Sequence, residues 1–407
     1  MNRLKNEFSF IKGNYLLLLI GSLITDFSEE MANTYYPLYF QALGGTATTY
    51  GLLSSLTSII SAFVRFPGGY IADKYGRKTI LWSMTLLAGF SYLFYAFAPS
   101  WEYILLGVVF RALTTIYGPA YSALTMDSIP QEKRGTGYSI INMITEASTT
   151  PSPLLAGILF TTYGLLAGTR ISFTLVTVTY IIAALLRSRI TETIEDPEPM
   201  NVKGIISSFS GLNAFLENLN VLKLVPNNLK TILSIQIIFE FVNAMFNIVF
   251  VYYIIDVLKV PAENLGIIFK LVSISIIIVS IPCGQFIDRY GKRKSLILSF
   301  IILAAGMPLL IWGNLYSLYV FGPVVALFII LYNTSISALY ADYTPIEHRG
   351  KISGTTGFIL LIVISIGRIL GGYIYDYQSQ VLPLLLFWLS SIPLLLLINK
   401  YVQEPEK

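Results

Sequence analysis

Pro67-Gly68-Gly69-Tyr70-Ile71-Ala72-Asp73-Lys74-Tyr75-Gly76-Arg77-Lys78 is followed, 215 residues later, by Pro282-Cys283-Gly284-Gln285-Phe286-Ile287-Asp288-Arg289-Tyr290-Gly291-Lys292-Arg293. In both copies an apolar run ends on an aspartate, a glycine turns the chain, and cations open the next run. The same shift carries Gly51 onto Gly266, Asp127 onto Asp342, Pro130 onto Pro345, Glu132 onto Glu347, Arg134 onto Arg349 and Gly135 onto Gly350. One offset kept over so many positions means one unit written twice. Two halves repeated in the same order predict two bundles related by an axis along the membrane normal, with a solute pathway between them.

The runs around these loops are about as long as a bilayer is thick. Thr79 to Ala98 and Ser295 to Trp312 are examples, near the ~20 residues a helix needs to cross the hydrocarbon core. Of 407 residues 55% are hydrophobic and 12% charged, half the charge of an ordinary water-soluble domain. Apolar runs and their breakers predict twelve spans, near 14–40, 50–72, 79–98, 102–126, 136–162, 168–187, 231–256, 264–287, 295–313, 316–341, 352–376 and 381–400. The fold class is therefore an all-α membrane protein, twelve transmembrane helices in two pseudo-symmetric six-helix bundles. The run from Tyr15 lacks a small-residue cleavage pattern and continues past Asp26, so it reads as a retained span and not as a signal peptide.

Of the 27 lysines and arginines, 21 fall on the side of both termini, two (Arg170 and Lys259) on the other, and four within spans. By the positive-inside rule both termini are cytoplasmic, and the net charge of +4 reflects membrane topology and not a nucleic-acid patch. Residues 1–187 form the first bundle, 188–230 a cytoplasmic linker and 231–407 the second bundle. In the linker Ile205, Phe209, Leu212, Leu216 and Leu219 recur at helical spacing, as an interfacial amphipathic helix or a plain surface helix requires. Cys283 is the only cysteine and His348 the only histidine, so neither a disulfide nor a His/Cys metal site is expected.

Gly69 to Lys78 resembles the signature loop of the major facilitator superfamily, G-x-x-x-D-[RK]-x-G-[RK]-[RK], and Gly284 to Arg293 matches it again. That resemblance extends over the whole chain. It implies a transporter working by alternating access, with Asp73 directed at the start of the eleventh helix and Arg77 paired with the acid ending the fourth, here Asp127. The gate residues implied are Gly69, Asp73, Gly76, Arg77, Asp127 and Arg134, repeated as Gly284, Asp288, Gly291, Lys292, Arg293, Asp342 and Arg349. An ordinary cytoplasmic charge cluster is the plainer alternative. Arg111, with Gly118, resembles the family's fourth-helix motif, whose arginine is associated with proton coupling, although the usual glutamine is absent. Ser148-Thr-Thr-Pro151-Ser-Pro153-Leu-Leu-Ala156-Gly157 resembles a degraded antiporter motif, and Gly367-Arg368-Ile-Leu-Gly371-Gly372 stands at the repeat position.

Asp26, Glu29, Glu30 and Asn33 are spaced i, i+3, i+4 and i+7 and share one helical face. Asp26, Glu146 and Glu240 each lie about ten residues into a span, near mid-membrane at 1.5 Å per residue, and Arg111 reaches similar depth. A carboxylate there is tolerated as a neutral acid or within a pair, so these residues are candidates for carrying a proton, with Arg111 tuning them or forming a structural ion pair. Asn243 and Asn247, near Glu240, are candidate solute contacts. Arg65, Lys270 and Arg368 are further charges within spans.

The composite expectation is a secondary transporter in the cell membrane, expelling amphiphilic or cationic compounds by proton-coupled antiport. The alternative is a proton symporter or facilitator importing a polar or anionic metabolite on Arg111, Lys270 and Arg368. No cofactor is expected, nor any partner beyond the bilayer, a small solute and protons; the chain is expected to be a monomer. An enzyme is not expected because no nucleophile with a base partner appears, and no phosphate-binding G-x-x-x-x-G-K-[ST] loop supports ATP drive.

Overall fold

The structure, a computed structural model, describes residues 10–130, 133–198, 225–344 and 349–404. The side chains of Arg65, Arg134, Glu146 and Arg349, and the segment Ile205 to Leu219, lie outside the described residues. Helices follow one another with short turns: α1 Gly13–Ala42, α2 Ala47–Tyr75, α3 Arg77–Ala96, α4 Trp101–Thr114, α5 Gly118–Ser128, α6 Arg134–Thr149 and α7 Ser152–Arg187. Beyond the linker come α8 Asn227–Tyr252, α9 Leu265–Tyr290, α10 Lys292–Ile311, α11 Leu315–Tyr343, α12 Arg349–Tyr377 and α13 Leu382–Tyr401. No strand occurs among the described residues.

Among the described residues ten segments are long and apolar enough to cross a bilayer. Two features reconcile that count with twelve spans. The 30-residue α1 carries Asp26, Glu29 and Glu30, too many charges for a purely compositional criterion. The single segment Met143–Arg187 is broken at Gly164, whose φ of 77° and ψ of 171° no helix contains, so it supplies both the fifth and sixth spans.

Two spans are interrupted where the chemistry is densest. A 3-10 turn over Thr115–Tyr117 separates α4 from α5, and Pro119 sits in the first turn of α5, where its missing N–H costs nothing. Arg111 thereby lies in the last turn of α4. The fifth span breaks at Pro151, between α6 and α7, because proline cannot donate into the helical ladder.

The chain divides into two compact units. Unit 1 comprises residues 1–44 and 59–213, unit 2 residues 45–58 and 214–407. The first turns of α2 therefore pack with α8 and α12, a grouping that chain order alone does not suggest.

Within unit 1 small residues bring helices close. A Cβ on Gly89 of α3 would lie 2.9 Å from the Tyr180 Cβ on α7. Within unit 2 a Cβ on Gly367 of α12 would meet the Phe241 carbonyl of α8 at 2.5 Å, and one on Gly371 would meet Met245 at 2.6 Å. Such approach is how helices associate where lipid removes the hydrophobic drive. Two buried tyrosines donate to carbonyls, Tyr39 to Tyr95 and Tyr253 to Ile311, each at 2.7 Å. Leu16, Ile20 and Leu23 on α1 remain exposed, an apolar face suited to acyl chains.

Candidate functional site

The polar heart of unit 1 is built on α1. Glu29 Oε1 accepts from Arg111 Nη2 at 2.9 Å and from the Tyr92 hydroxyl. Arg111 donates in turn to Tyr92 Oη through Nε at 2.9 Å and to Tyr180 Oη through Nη2 at 3.1 Å. Its guanidinium lies 5.7 and 5.6 Å from the two tyrosine ring centres. Three helices, α1, α3 and α7, thus converge on the end of α4. Every member of this cluster has its charge or hydroxyl answered, the condition under which a buried ionic network holds a unique packing.

Asp26, one turn earlier, is held differently. It accepts only from hydroxyls, Thr145 Oγ1 at 3.2 Å and Thr25 Oγ1 at 3.4 Å, and no cation lies within ion-pair distance of it among the described residues. Asp26 and Glu29 line a cavity of about 250 Å³ with Tyr117, Tyr121, Thr145 and Arg187. Glu30 and Asn33 are not among the residues lining it, so the four polar groups that share a helical face divide into two pairs. Glu146 contributes a side chain outside the described residues.

Arg187 is the residue that reading the sequence misplaces. As the last residue of a span it counts as one of the cytoplasmic charges that set topology, yet it is 3% exposed. Nη1 donates to Thr85 Oγ1 at 2.6 Å, the guanidinium lies 5.8 and 5.6 Å from the ring centres of Tyr117 and Tyr121, and Nε is unpartnered. Gly21 makes room for it: a Cβ there would sit 3.3 Å from Nε. A glycine opposite a span-end arginine is the only signal the sequence offers.

In unit 2 the equivalent polar groups are spread along α8 and α12. Asn243 Nδ2 lies 3.5 Å from Glu240 Oε2, and Asn247 Nδ2 donates to Asn243 Oδ1 at 2.7 Å. Arg368 Nη1 donates to Ser58 Oγ at 2.8 Å and to the Ser54 carbonyl at 3.1 Å. Arg368 is therefore tied to the part of α2 that belongs to unit 2, and no carboxylate pairs with it among the described residues.

The two repeated loops are built alike. Arg77 Nη1 meets Asp127 Oδ2 at 2.5 Å while Nε and Nη2 meet Asp73 Oδ1 at 2.9 Å. Lys292 pairs with Asp342 in the second copy; each pair spans 50 residues. Asp288 is exposed, and Gly69 and Gly284 lie in the last turns of α2 and α9. Gly76 and Gly291 turn the chain at φ of 92° and 96°, where a side chain is strained.

A carboxylate fills each of these turns. Glu192 accepts from Lys78 N at 2.9 Å, and Glu404 accepts from Lys292 N at 2.6 Å and Arg293 N at 3.0 Å. A Cβ on Gly76 would lie 2.7 Å from Glu192 Oε2, and one on Gly291 2.6 Å from Glu404 Oε1. Each acid satisfies N–H groups left open at a helix start and sits at the positive end of its dipole. Lys74 adds a contact to Glu198 at 3.3 Å, and that hydrogen bond, with the charge behind it, raises the lysine's pKa above its ordinary value. Arg293 donates to Asn399 O at 2.5 Å, so this member of the expected gate set lies against the twelfth span. Glu192 and Glu404 are 212 residues apart, so a search at a fixed offset of 215 passes over them.

The family model described as Major Facilitator Superfamily matches residues 18–231 and again 232–407. Among curated proteins, a multidrug resistance protein MdtG of Citrobacter koseri is 23% identical over 304 residues, 72% of this chain and 70% of that one. A Na(+), Li(+), K(+)/H(+) antiporter of Planococcus maritimus is 27% identical over 182 residues, and the match spans only 42% of that protein. Among solved structures, nucleoside transporter NupG has a TM-score of 0.74 at 14% identity, covering 96% of this chain and all of that one. The human organic anion transporter MFSD10 has a TM-score of 0.66 at 15% identity, covering 96% and 98%.

Proposed function

The chain belongs to the major facilitator superfamily and is a multi-pass membrane transporter, and within that family we propose that it expels amphiphilic or cationic compounds in exchange for protons. The observation carrying this reading is the contrast between two acids on one helix. Glu29 is committed to Arg111, Tyr92 and Tyr180, whereas Asp26 faces a cavity and, among the described residues, has hydroxyl partners alone. A carboxylate with no fixed cation binds either a proton or a cationic group, and competition between the two is the simplest coupling of a solute to a proton gradient. Arg111 then acts as a positioning residue that holds Glu29 in its pair and leaves Asp26 as the exchangeable site. The names of the two curated relatives, a multidrug resistance protein and a cation/proton antiporter, support export. The distribution of lysine and arginine supports both termini lying in the cytoplasm, and the proposal takes the protein to act as a monomer in the cell membrane.

The loop pairs, Arg77 with Asp127 and Lys292 with Asp342, together with Asp73, Asp288, Arg134 and Arg349, are proposed as the cytoplasmic latch of alternating access. The second reading, import of a polar or anionic metabolite, is favoured by Arg368, which among the described residues donates to neutral oxygens of Ser54 and Ser58.

Proteoliposomes with an imposed proton gradient separate the two readings. An antiporter concentrates solute on the acidic side of the membrane and a symporter on the alkaline side. Accumulation of a cationic dye on the alkaline side, or none on either, rejects proton-coupled export.

A further inference from the structure

Two opposite charges face the unit 1 cavity without ion-pair partners. Among the described residues Asp26 on α1 accepts only from threonine hydroxyls. Arg187 on α7, 3% exposed, has one hydroxyl and two aromatic faces, with Nε unpartnered. Among the described residues, Glu29 beside this cavity is paired with Arg111. An unpaired charge out of water is costly, and here two of opposite sign border one space of about 250 Å³. That volume is just below the range that encloses a drug-sized ligand; it suits a compact polar head. Tyr117 and Tyr121 supply ring faces and hydroxyls beside it.

We infer that this cavity is a binding site for a compact zwitterion, its ammonium on Asp26 and its carboxylate or other oxyanion on Arg187. The inference rests on the export reading only in using Asp26 as the cation site, and it adds to that reading a preference for solutes carrying both charges. Arginine presents a planar fork of donors to an oxyanion. Thr85 engages Nη1 alone, and Nε has no hydrogen-bond partner among the described residues. A purely cationic solute gains Asp26 but meets Arg187 as a like charge; a purely anionic one meets the reverse.

Three soluble probes sharing one ring decide it: phenylalanine with both charges, phenethylamine with the ammonium alone and 3-phenylpropionate with the carboxylate alone. Binding is measured calorimetrically to the purified full chain in nanodiscs at neutral pH. The wild type binds phenylalanine at least tenfold more tightly than either single-charge probe. Arg187→Gln abolishes the preference over phenethylamine, and Asp26→Asn abolishes the preference over 3-phenylpropionate. Arg187→Lys, which keeps the charge, retains a reduced preference and serves as the control should Arg187→Gln fail to fold. Equal binding of phenylalanine and phenethylamine by the wild type, no binding of any probe, or an unchanged ratio in Arg187→Gln overturns the inference. Gradient-driven transport of a cationic dye is measured on the same preparations. If that persists while the zwitterion preference is absent, the inference alone falls and the export reading stands.

Discussion

Removing Glu29 while leaving Arg111 in place strands a cation inside unit 1. Breaking a buried ion pair from one side costs about 3–5 kcal/mol in general. Here the side chains of Glu29 and Arg111 are 24% and 19% exposed, and Arg111 keeps the Tyr92 and Tyr180 hydroxyls. Both effects place Glu29→Gln near the lower limit, about 3 kcal/mol, roughly a hundredfold in the folded ratio. Arg111→Met alone leaves Glu29 with the Tyr92 hydroxyl and costs a similar amount. The double variant Glu29→Gln, Arg111→Met carries no stranded charge. It is expected to recover about 2 kcal/mol relative to the sum of the single losses, within the range measured for contacting residues. The assay is reversible unfolding in mixed micelles by titrated denaturing detergent, followed by fluorescence of Trp82, Trp101, Trp312 and Trp388. Single losses that simply add in the double variant would refute the assignment of Glu29 to a locked pair, and with it the division of labour between the two acids.

Gly76→Ala is expected to cost about 2 kcal/mol from the positive φ alone, and its Cβ displaces the Glu192 carboxylate; thermal unfolding of the purified protein measures it. Glu192→Ala and Glu404→Ala each remove a helix cap worth about 1 kcal/mol. Because they sit in separate units, their losses should add, and a strongly non-additive double variant would contradict independent capping. Asp73→Asn should shift the population toward the inward-open state and slow transport with little loss of binding, read from spin-label distances between the cytoplasmic ends of α2 and α12; an unchanged distribution sinks the latch. Solute binding should weaken as pH falls, since the proton and a cationic group compete for Asp26. Asp26→Asn should flatten that dependence and Glu29→Gln should leave it, as direct binding titrations across pH will report.

The repeated loops were legible because their chemistry recurs at a single offset. Arg77 with Asp127 and Lys292 with Asp342 follow from spacing together with family resemblance. The spans were legible because bilayer thickness imposes a length that few other structures share. Which acid Arg111 selects was not legible: Asp26, Glu29 and Glu30 lie within one helical turn, and the choice depends on where Tyr92 and Tyr180 arrive from α3 and α7. The 3-10 turn after Arg111 left no clear trace beyond Gly118-Pro119. Arg187 was hidden by position, since depth along a span predicts solvent at its last residue and takes no account of Gly21 and Tyr121 folding over it. Glu192 and Glu404 were hidden because they stand 212 residues apart, off the 215 offset that aligns the loops.

The central claim is that Asp26 is the exchangeable acid of a proton-coupled exporter. Its most direct test is accumulation of a fluorescent amphiphilic cation in proteoliposomes acidified inside, comparing the wild type with Asp26→Asn. The wild type should concentrate the dye inside and lose the gradient of dye when the pH difference is collapsed, while Asp26→Asn should still bind it but let it only equilibrate. Accumulation by Asp26→Asn equal to that of the wild type, or a wild type indifferent to the pH difference, would contradict the account.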